Sequence, residues 1–274
     1  MPELPEVETV RKYLKENILN QKIIDIQILY PKMIENDIDQ FKNSLINNYF
    51  IDIKRRGKYL IFETNQNYLI SHLRMEGKFN IKNINDKIEK HEHVIFTFPS
   101  FTLRYNDTRK FGRMKLINKD ELDTYFKNVG PDANSDIKED YVLNKFNKSN
   151  KMIKTLLLSQ DIISGIGNIY ADEILYKAKI SPFKKGKDIT INDVKLILSS
   201  SKEILNNSIK HNGTTIKSYT FSLNHIGSYQ NYLLVHKKDI CKNCNNKIIK
   251  TKIDGRSTYY CKECQKWNKY LFLV

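Results

Sequence analysis

The sequence predicts an α+β chain of two domains followed by a small module held by cysteines. Three observations carry this. Apolar residues recur at helical spacing over 4–19, short β-branched and aromatic runs fill 22–118, and helical spacing returns after 136. All the cysteines fall between 241 and 264. A chain of 274 residues is long enough to give two domains a core each.

The first element is the N-terminal helix. Leu4, Val7, Val10, Leu14 and Ile18 form its apolar stripe, with Pro5 near the start. The charged and apolar regions of a secretory leader are missing before it, so none is expected. Two readings of Met1-Pro2-Glu3-Leu4-Pro5-Glu6 stay open at this level. Proline and acids are what a capped helix N-terminus uses. Alternatively, removal of Met1 exposes a secondary amine on Pro2. An α-amino group titrates near pH ~8, so a usable fraction is neutral and can form a Schiff base with a carbonyl-like carbon. Glu3 and Glu6 share one face of the first turn and would then serve as general acid and base.

Strands are expected at 23–30, 49–54, 59–64, 68–73, 93–98, 101–105 and 113–117, with one helix at 37–45. Antiparallel strands at this spacing make a β-sandwich or barrel. Three turns among them stand out. Lys54-Arg55-Arg56-Gly57-Lys58 reads as a basic turn whose glycine allows close approach to a phosphate. His72-Leu73-Arg74-Met75-Glu76-Gly77-Lys78-Phe79 carries a methionine that is either core or a wedge for a base stack. Asp107-Thr108-Arg109-Lys110-Phe111-Gly112 pairs an arginine, with donors for a base edge, with an aromatic that can stack. His91-Glu92-His93 places two histidines on one strand face. With no third ligand nearby, it reads as the start of a strand with phosphate contacts rather than a metal site.

Gly130-Pro131-Asp132-Ala133-Asn134-Ser135-Asp136 has linker composition. Helices are expected beyond it at 141–146, 151–159, 169–178 and 192–210. The turn Gly165-Ile166-Gly167 before a helix start suits either a phosphate or a helix cap. No lysine followed by serine or threonine comes directly after the turn, which excludes a nucleotide P-loop.

The formal net charge is +15 and the sequence pI about 9.4, which favours a polyanionic partner. Only eight of the 46 basic residues are arginine, so the arginines in turns carry more meaning than any one lysine. No apolar run is long enough to cross a membrane. Cys241-Lys-Asn-Cys244 and Cys261-Lys-Glu-Cys264, sixteen residues apart, fit a four-cysteine zinc ribbon. Four thiolates close the coordination sphere, so the expected Zn2+ is one structural ion. Arg256 falls in the turn expected between the ribbon strands, placed to reach a groove or a phosphate.

Taken in order, Pro2-Glu3-Leu4-Pro5-Glu6-Val7-Glu8, Gly57-Lys58-Tyr59-Leu60, His72 to Gly77, Arg109 to Gly112, Gly165 to Glu173 and the ribbon resemble the bacterial formamidopyrimidine-DNA glycosylases along essentially the whole chain. The resemblance implies a β-sandwich with an N-terminal helix (1–131), a linker (132–136), a helix–two-turn–helix domain (137–236) and a zinc finger (237–274), with DNA between the domains. It implies a monomeric cytoplasmic enzyme, nucleoid-associated while searching, that acts on double-stranded DNA containing an oxidised purine or an abasic site and does not touch membranes. Pro2 would attack C1′ and Glu3 move the protons. Lys58 would contact phosphate beside the lesion and Glu6 support the site. Met75, Arg109 and Phe111 would fill the space left by the everted nucleotide. His72, His91, Asn168 and Arg256 would contact DNA, and Lys217 and Tyr219 belong to the loop closing over the extruded base.

Two departures occur: serine follows Arg256, where the family often has glycine, and lysine follows Cys261, where it often has proline. The endonuclease VIII-like sister branch shares the proline and glutamate, but Leu4-Pro5-Glu6-Val7-Glu8 and the Met75/Arg109/Phe111 set favour the purine branch. A non-enzymatic zinc-ribbon DNA binder would explain the charge and the finger and leave the N-terminus unexplained.

Overall fold

Helix α1 (Leu4–Ile18) is set by a reciprocal capping box, in which the Glu3 N–H donates to Glu6 Oε2 at 2.9 Å. It stops at Leu19, whose backbone is extended, and Asn20 follows at φ 57°. Val7, Val10, Leu14 and Ile18 are buried and lie over β2 (Asp52–Arg56) and β3 (Tyr59–Glu63). Each of these side chains contributes on the order of 1.5–3 kcal/mol by leaving water. The computed structural model describes residues 1–214 and 227–266. The chain divides into two compact units, Met1–Asn128 with His211–Ser228, and Val129–Lys210 with Tyr229–Val274.

The first unit is a sandwich of two four-stranded antiparallel sheets. One runs β1 (Asp25–Ile28), β6 (Glu92–Thr97), β7 (Thr102–Asn106), β5 (Lys78–Lys82). The other runs β2, β3, β4 (Asn67–His72), β8 (Arg113–Asn118). Rings from both sheets meet in the core: Phe62 of β3 lies 5.6 Å from Phe79 of β5, and Phe79 lies 5.0 Å from Tyr105 of β7. The barrel alternative is thereby excluded. Helix α2 (Ile38–Leu45) is capped by Asp37, whose carboxylate accepts the Gln40 N–H.

Strand β5 and the short helix α3 (Leu122–Phe126) were not expected. β5 is an edge strand carrying only two apolar residues, and α3 is too short to show a period. The 54–58 turn is also shorter than expected. Arg56 pairs with Tyr59 in the ladder, so only Gly57 and Lys58 lie in the turn, and Arg55 is drawn into an ion pair with Glu8 at 3.0 Å. His91 lies outside the strand, although its ring stays 6.4 Å from that of His93. His91 sits at φ 78° before β6 and a bulge follows between Glu92 and Val94, while His93 is buried with its Nε2 against the Asp107 carbonyl at 2.9 Å.

The second unit is helical. α4 (Glu139–Asn147) and α6 (Asn168–Lys177) pack on α7 (Ile191–Lys210), and α5 (Ile153–Leu158) packs on α6. α7 buries Val194, Ile197, Ser201, Leu205 and Ser208, and the hydroxyl of Tyr170 in α6 bonds that of Ser208 at 2.5 Å. The stretch of linker composition is laid along the 160–164 segment instead of hanging free: Gly130 N–H donates to Gln160 O, Ala133 N–H to Ser164 O, and Ser164 N–H to Pro131 O. The finger contributes the hairpin β9 (Ile249–Ile253) and β10 (Arg256–Tyr260). Among the described residues no helix is long and apolar enough to cross a membrane.

Candidate active site and metal centre

The N-terminal residues are buried together. Pro2 is covered, and Glu3, Glu6 and Lys58 are 2%, 2% and 4% exposed. Two elements converge here, the capped start of α1 and the tight β2–β3 turn that presents Lys58. Glu6 is fully engaged. Its Oε2 takes the Glu3 N–H, and its Oε1 accepts both the N–H and the hydroxyl of Thr214, at 2.7 and 3.0 Å. Ahead of Pro2, the Met1 amine also lies among these groups. Burial lowers that amine's pKa below the usual α-amino value; the charges of Glu3 and Glu6 oppose this and that of Lys58 adds to it.

His72, at the end of β4, is pushed down to about 3 by burial and by the Arg74 and Lys58 charges. Its Nδ1 accepts the Arg74 N–H at 2.9 Å, which leaves Nε2 as the protonated nitrogen of a neutral ring.

The two turns with apolar and arginine probes are adjacent. Thr108 Oγ1 hydrogen-bonds Glu76 Oε2 across them. Tyr105 lies between them, and a Cβ added at Gly77 or Gly112 would stand 2.0 or 1.8 Å from its hydroxyl oxygen, so both positions require glycine. Asp107 is fully buried and shapes the second turn: its carboxylate accepts the N–H groups of Arg109, Phe111 and Gly112 at 3.0, 2.9 and 2.8 Å. The result holds Arg109 over the Phe111 ring at 4.7 Å while Phe111 stays 48% exposed, an unusual state for a large aromatic. Met75 is half-buried in the neighbouring turn, and His91 is half-buried before β6.

In the second unit, the glycine turn is held by one side chain. Gln160 accepts the Gly165 N–H at 2.9 Å and donates to the Leu158 and Ile166 carbonyls. Asn168 opens α6, but its Nδ2 donates to the Ser257 carbonyl at 2.9 Å, so the expected phosphate donor also ties the helix to the finger. Asp254 and Gly255, at φ 46° and 75°, make the two-residue hairpin turn; Arg256 is the first residue of β10 rather than part of the turn, and it is exposed. Lys217 and Tyr219 lie outside the described residues.

The sulfurs of Cys241, Cys244, Cys261 and Cys264 all lie within 4.8 Å of one another. A tetrahedral zinc with Zn–S bonds of about 2.3 Å places sulfurs about 3.8 Å apart. The measured Cys241–Cys264 and Cys244–Cys261 separations are 3.7 and 3.4 Å, so the four residues fit one structural zinc. Burial disfavours the Cys241 thiolate, but the Tyr176 hydroxyl and the Asn243 and Cys244 backbone outweigh it and bring the thiol down to about 6.

A helix-fronted β-sandwich, a helical unit and a four-thiolate finger define a zinc-finger protein of the helix–two-turn–helix class. Three family models match these parts: the formamidopyrimidine-DNA glycosylase N-terminal domain over residues 1–114, the H2TH domain of the same enzyme over 129–220, and the zinc finger found in FPG and IleRS over 240–266. The chain belongs to the formamidopyrimidine-DNA glycosylase family. The formamidopyrimidine-DNA glycosylase of Lactococcus lactis subsp. lactis is 43% identical over 272 residues, covering 97% of this chain and 100% of the relative. That of Mycoplasma genitalium is 43% identical over 275 residues, covering 97% and 96%. A Lactococcus lactis FPG mutant bound to DNA containing Fapy-dG superposes with a TM-score of 0.93 at 42% identity, covering 97% of this chain and 100% of that one. MutM bound to DNA containing carbocyclic 8-oxo-G superposes with a TM-score of 0.92 at the same identity and coverage.

Three contributors were not anticipated from sequence. At the level of sequence Asp107 is only part of a turn, Tyr176 only part of a helix, and Thr214 carries no signal. An Asp followed by residues ending in glycine is a weak sign of a side chain gathering backbone N–H groups. Nothing local marks Thr214 or Tyr176, since each meets its partner across a long stretch of chain.

Proposed function

We propose that this protein is a base-excision DNA glycosylase that removes oxidised purines, 8-oxoguanine and formamidopyrimidines, from duplex DNA, and cleaves the resulting abasic site by β,δ-elimination. The observation that carries the reading is the buried cluster of Pro2, Glu3, Glu6 and Lys58 at the start of α1. Structures of matching fold hold DNA containing Fapy-dG and DNA containing carbocyclic 8-oxo-G.

Once Met1 is removed, Pro2 carries a secondary amine. Its lone pair attacks C1′, and the glycosidic bond breaks with its electrons leaving on the base, which takes up a proton. Glu3 takes the N–H proton of the resulting ammonium and delivers it to the ring oxygen, and the freed nitrogen lone pair opens the sugar to an iminium at C1′. The iminium acidifies C2′–H, and loss of that proton expels the 3′ phosphate. A second proton loss, at C4′, expels the 5′ phosphate. Glu6, held by the Glu3 N–H and by Thr214, suits positioning better than proton transfer. Lys58 places a cation in the cluster to meet a phosphate.

Everting a base costs a few kcal/mol and leaves a hole in the stack. Met75, Arg109 and Phe111 fill it, with Arg109 offering paired donors to the orphaned cytosine. His72, His91, Asn168 and Arg256 contact the backbone, with Lys217 and Tyr219 in the loop over the base. The charge of +15 supplies search affinity on any sequence. The finger's zinc stays structural, and the enzyme acts as a cytoplasmic monomer.

Borohydride reduction in the presence of 8-oxoguanine duplex should trap a covalent protein–DNA adduct through Pro2. Binding of damaged duplex without any adduct would overturn the mechanism. Glu3→Gln should keep DNA affinity and lose excision.

A further inference from the structure

Helix α6 sends four polar side chains toward the finger and the segment that leads into it. Asn168 donates to the Ser257 carbonyl. Asp172 pairs with His236 Nδ1 and with Lys154 Nζ, each at 2.7 Å, and Lys154 in turn donates to the Ser257 carbonyl at 2.7 Å and to Thr258 Oγ1 at 2.9 Å. Glu173 accepts the backbone N–H groups of Leu234, Val235 and His236 at 2.8, 2.9 and 2.8 Å. Tyr176 places its hydroxyl 3.0 Å from Cys241 Sγ. These positions fall at i, i+4, i+5 and i+8, one stripe of the helix. An amphipathic helix of ordinary pattern would bury apolar residues there. Here Asp172, Glu173 and Tyr176 are 1%, 4% and 2% exposed, so the stripe is polar and dry.

The Tyr176–Cys241 contact has a direction once zinc is bound. A zinc-ligating cysteine is a thiolate and has no proton to give, so the tyrosine hydroxyl is the donor. Cys241 is fully buried and Tyr176 nearly so, which keeps water from replacing this bond. A sulfur that accepts such a bond is a weaker base toward protons from solvent and is held in one orientation toward the metal.

We propose that Tyr176 is a positioning residue of the zinc centre: its hydroxyl donates to the Cys241 thiolate, slows zinc loss and fixes the first knuckle to the helix that begins at Asn168. Zinc retention and the placement of Asn168 are thereby linked through one helix.

The test uses the full chain, zinc-loaded, with Tyr176→Phe and, as control, Tyr170→Phe. The control removes a buried hydroxyl bond to Ser208 from the same helix without touching a cysteine. Zinc release is followed with a chromophoric chelator, and the thiolate-to-metal charge-transfer band is read after cobalt replaces zinc. Losing a partner beyond the ligands costs roughly tenfold or more in metal retention. Tyr176→Phe should therefore release zinc about tenfold faster, and its cobalt band should move to longer wavelength, because the sulfur lone pair rises in energy without its donor. Tyr170→Phe should match the unaltered protein in both. A cobalt band that stays in place in Tyr176→Phe overturns the proposal, whatever the release rate. Equal acceleration by both variants also overturns it, because that is general loosening of the helix.

Discussion

Replacing Asp107 with asparagine should damage the turn that carries Arg109 and Phe111 without weakening nonspecific DNA affinity. The buried carboxylate accepts three backbone N–H groups, those of Arg109, Phe111 and Gly112. Hydrogen bonds to a charged acceptor contribute about 1.5–3 kcal/mol each, against about 1 for neutral ones. Asparagine has one oxygen. Placed where Oδ2 stands, it keeps Phe111 and Gly112 as neutral bonds and points its NH2 at the Arg109 N–H. One charge-assisted bond is lost and two are weakened, a destabilisation of about 3 kcal/mol. At roughly 2–4 °C per kcal/mol, the melting temperature should fall by about 6–12 °C.

The functional loss should be selective. The turn aims Arg109 and Phe111, and a misplacement of about 1 Å near a reacting complex can cost ~100-fold. The assay is single-turnover excision of 8-oxoguanine opposite cytosine and opposite adenine, below the melting transition. Excision opposite cytosine should drop at least about tenfold, and the preference between the two partners should flatten, if Arg109 reads the orphaned base as proposed. Affinity for undamaged duplex should hold within about twofold; the substitution removes a negative charge, so electrostatics alone would strengthen it. A variant that melts like the unaltered protein and keeps its opposite-base preference would refute the assignment of Asp107 as the residue that shapes this turn.

The Tyr105 hydroxyl is buried without a hydrogen-bond partner among the described residues, so Tyr105→Phe should melt within about 1 kcal/mol of the parent or above it, whereas Gly112→Ala should unfold much more readily; denaturant melts decide both. Chelation of zinc should unfold the finger and weaken duplex binding, and full affinity of the metal-free protein would contradict a finger that contributes to binding. The fold holds His72 neutral down to about 3, while the unfolded chain protonates it near 6.5. The unfolded state therefore binds more protons below 6.5, and stability is fully present above that pH and falls as pH drops toward 3, by up to ~1.4 kcal/mol per unit. His72→Gln should flatten this limb of the stability–pH curve, and an unchanged slope would show that the native ring is not held neutral.

Much of the architecture is legible in the sequence because it rests on period. The stripe Val7, Val10, Leu14, Ile18 encodes which face of α1 is buried, and the apolar runs of β3 and β4, buried at consecutive residues, mark strands covered on both faces. The zinc centre is legible because four thiolates at ribbon spacing have few other uses. What period does not encode is missed: β5 at a sheet edge, a five-residue α3, and the bulge that puts His91 and His93 in different surroundings. The linker composition of 130–136 misleads for a related reason. Glycine, proline and aspartate suit a mobile link and equally a tight backbone that pairs with the 160–164 segment, and only the partner distinguishes them.

The paired carboxylates of the N-terminus illustrate the limit most directly. Sequence places Glu3 and Glu6 on one face and leaves both as candidate acid and base. The structure shows how Glu6 is held: it accepts from Glu3 on one oxygen and from Thr214 twice on the other. A carboxylate with both oxygens so committed would have to give up bonds to move a proton, each at a cost of about 1.5–3 kcal/mol. Helix capping and chemistry are therefore not rival accounts of this stretch. The capping box that starts α1 also orients Glu3 next to Pro2, so on the proposed mechanism a substitution that breaks the cap displaces the acid from the amine that Met1 removal would expose.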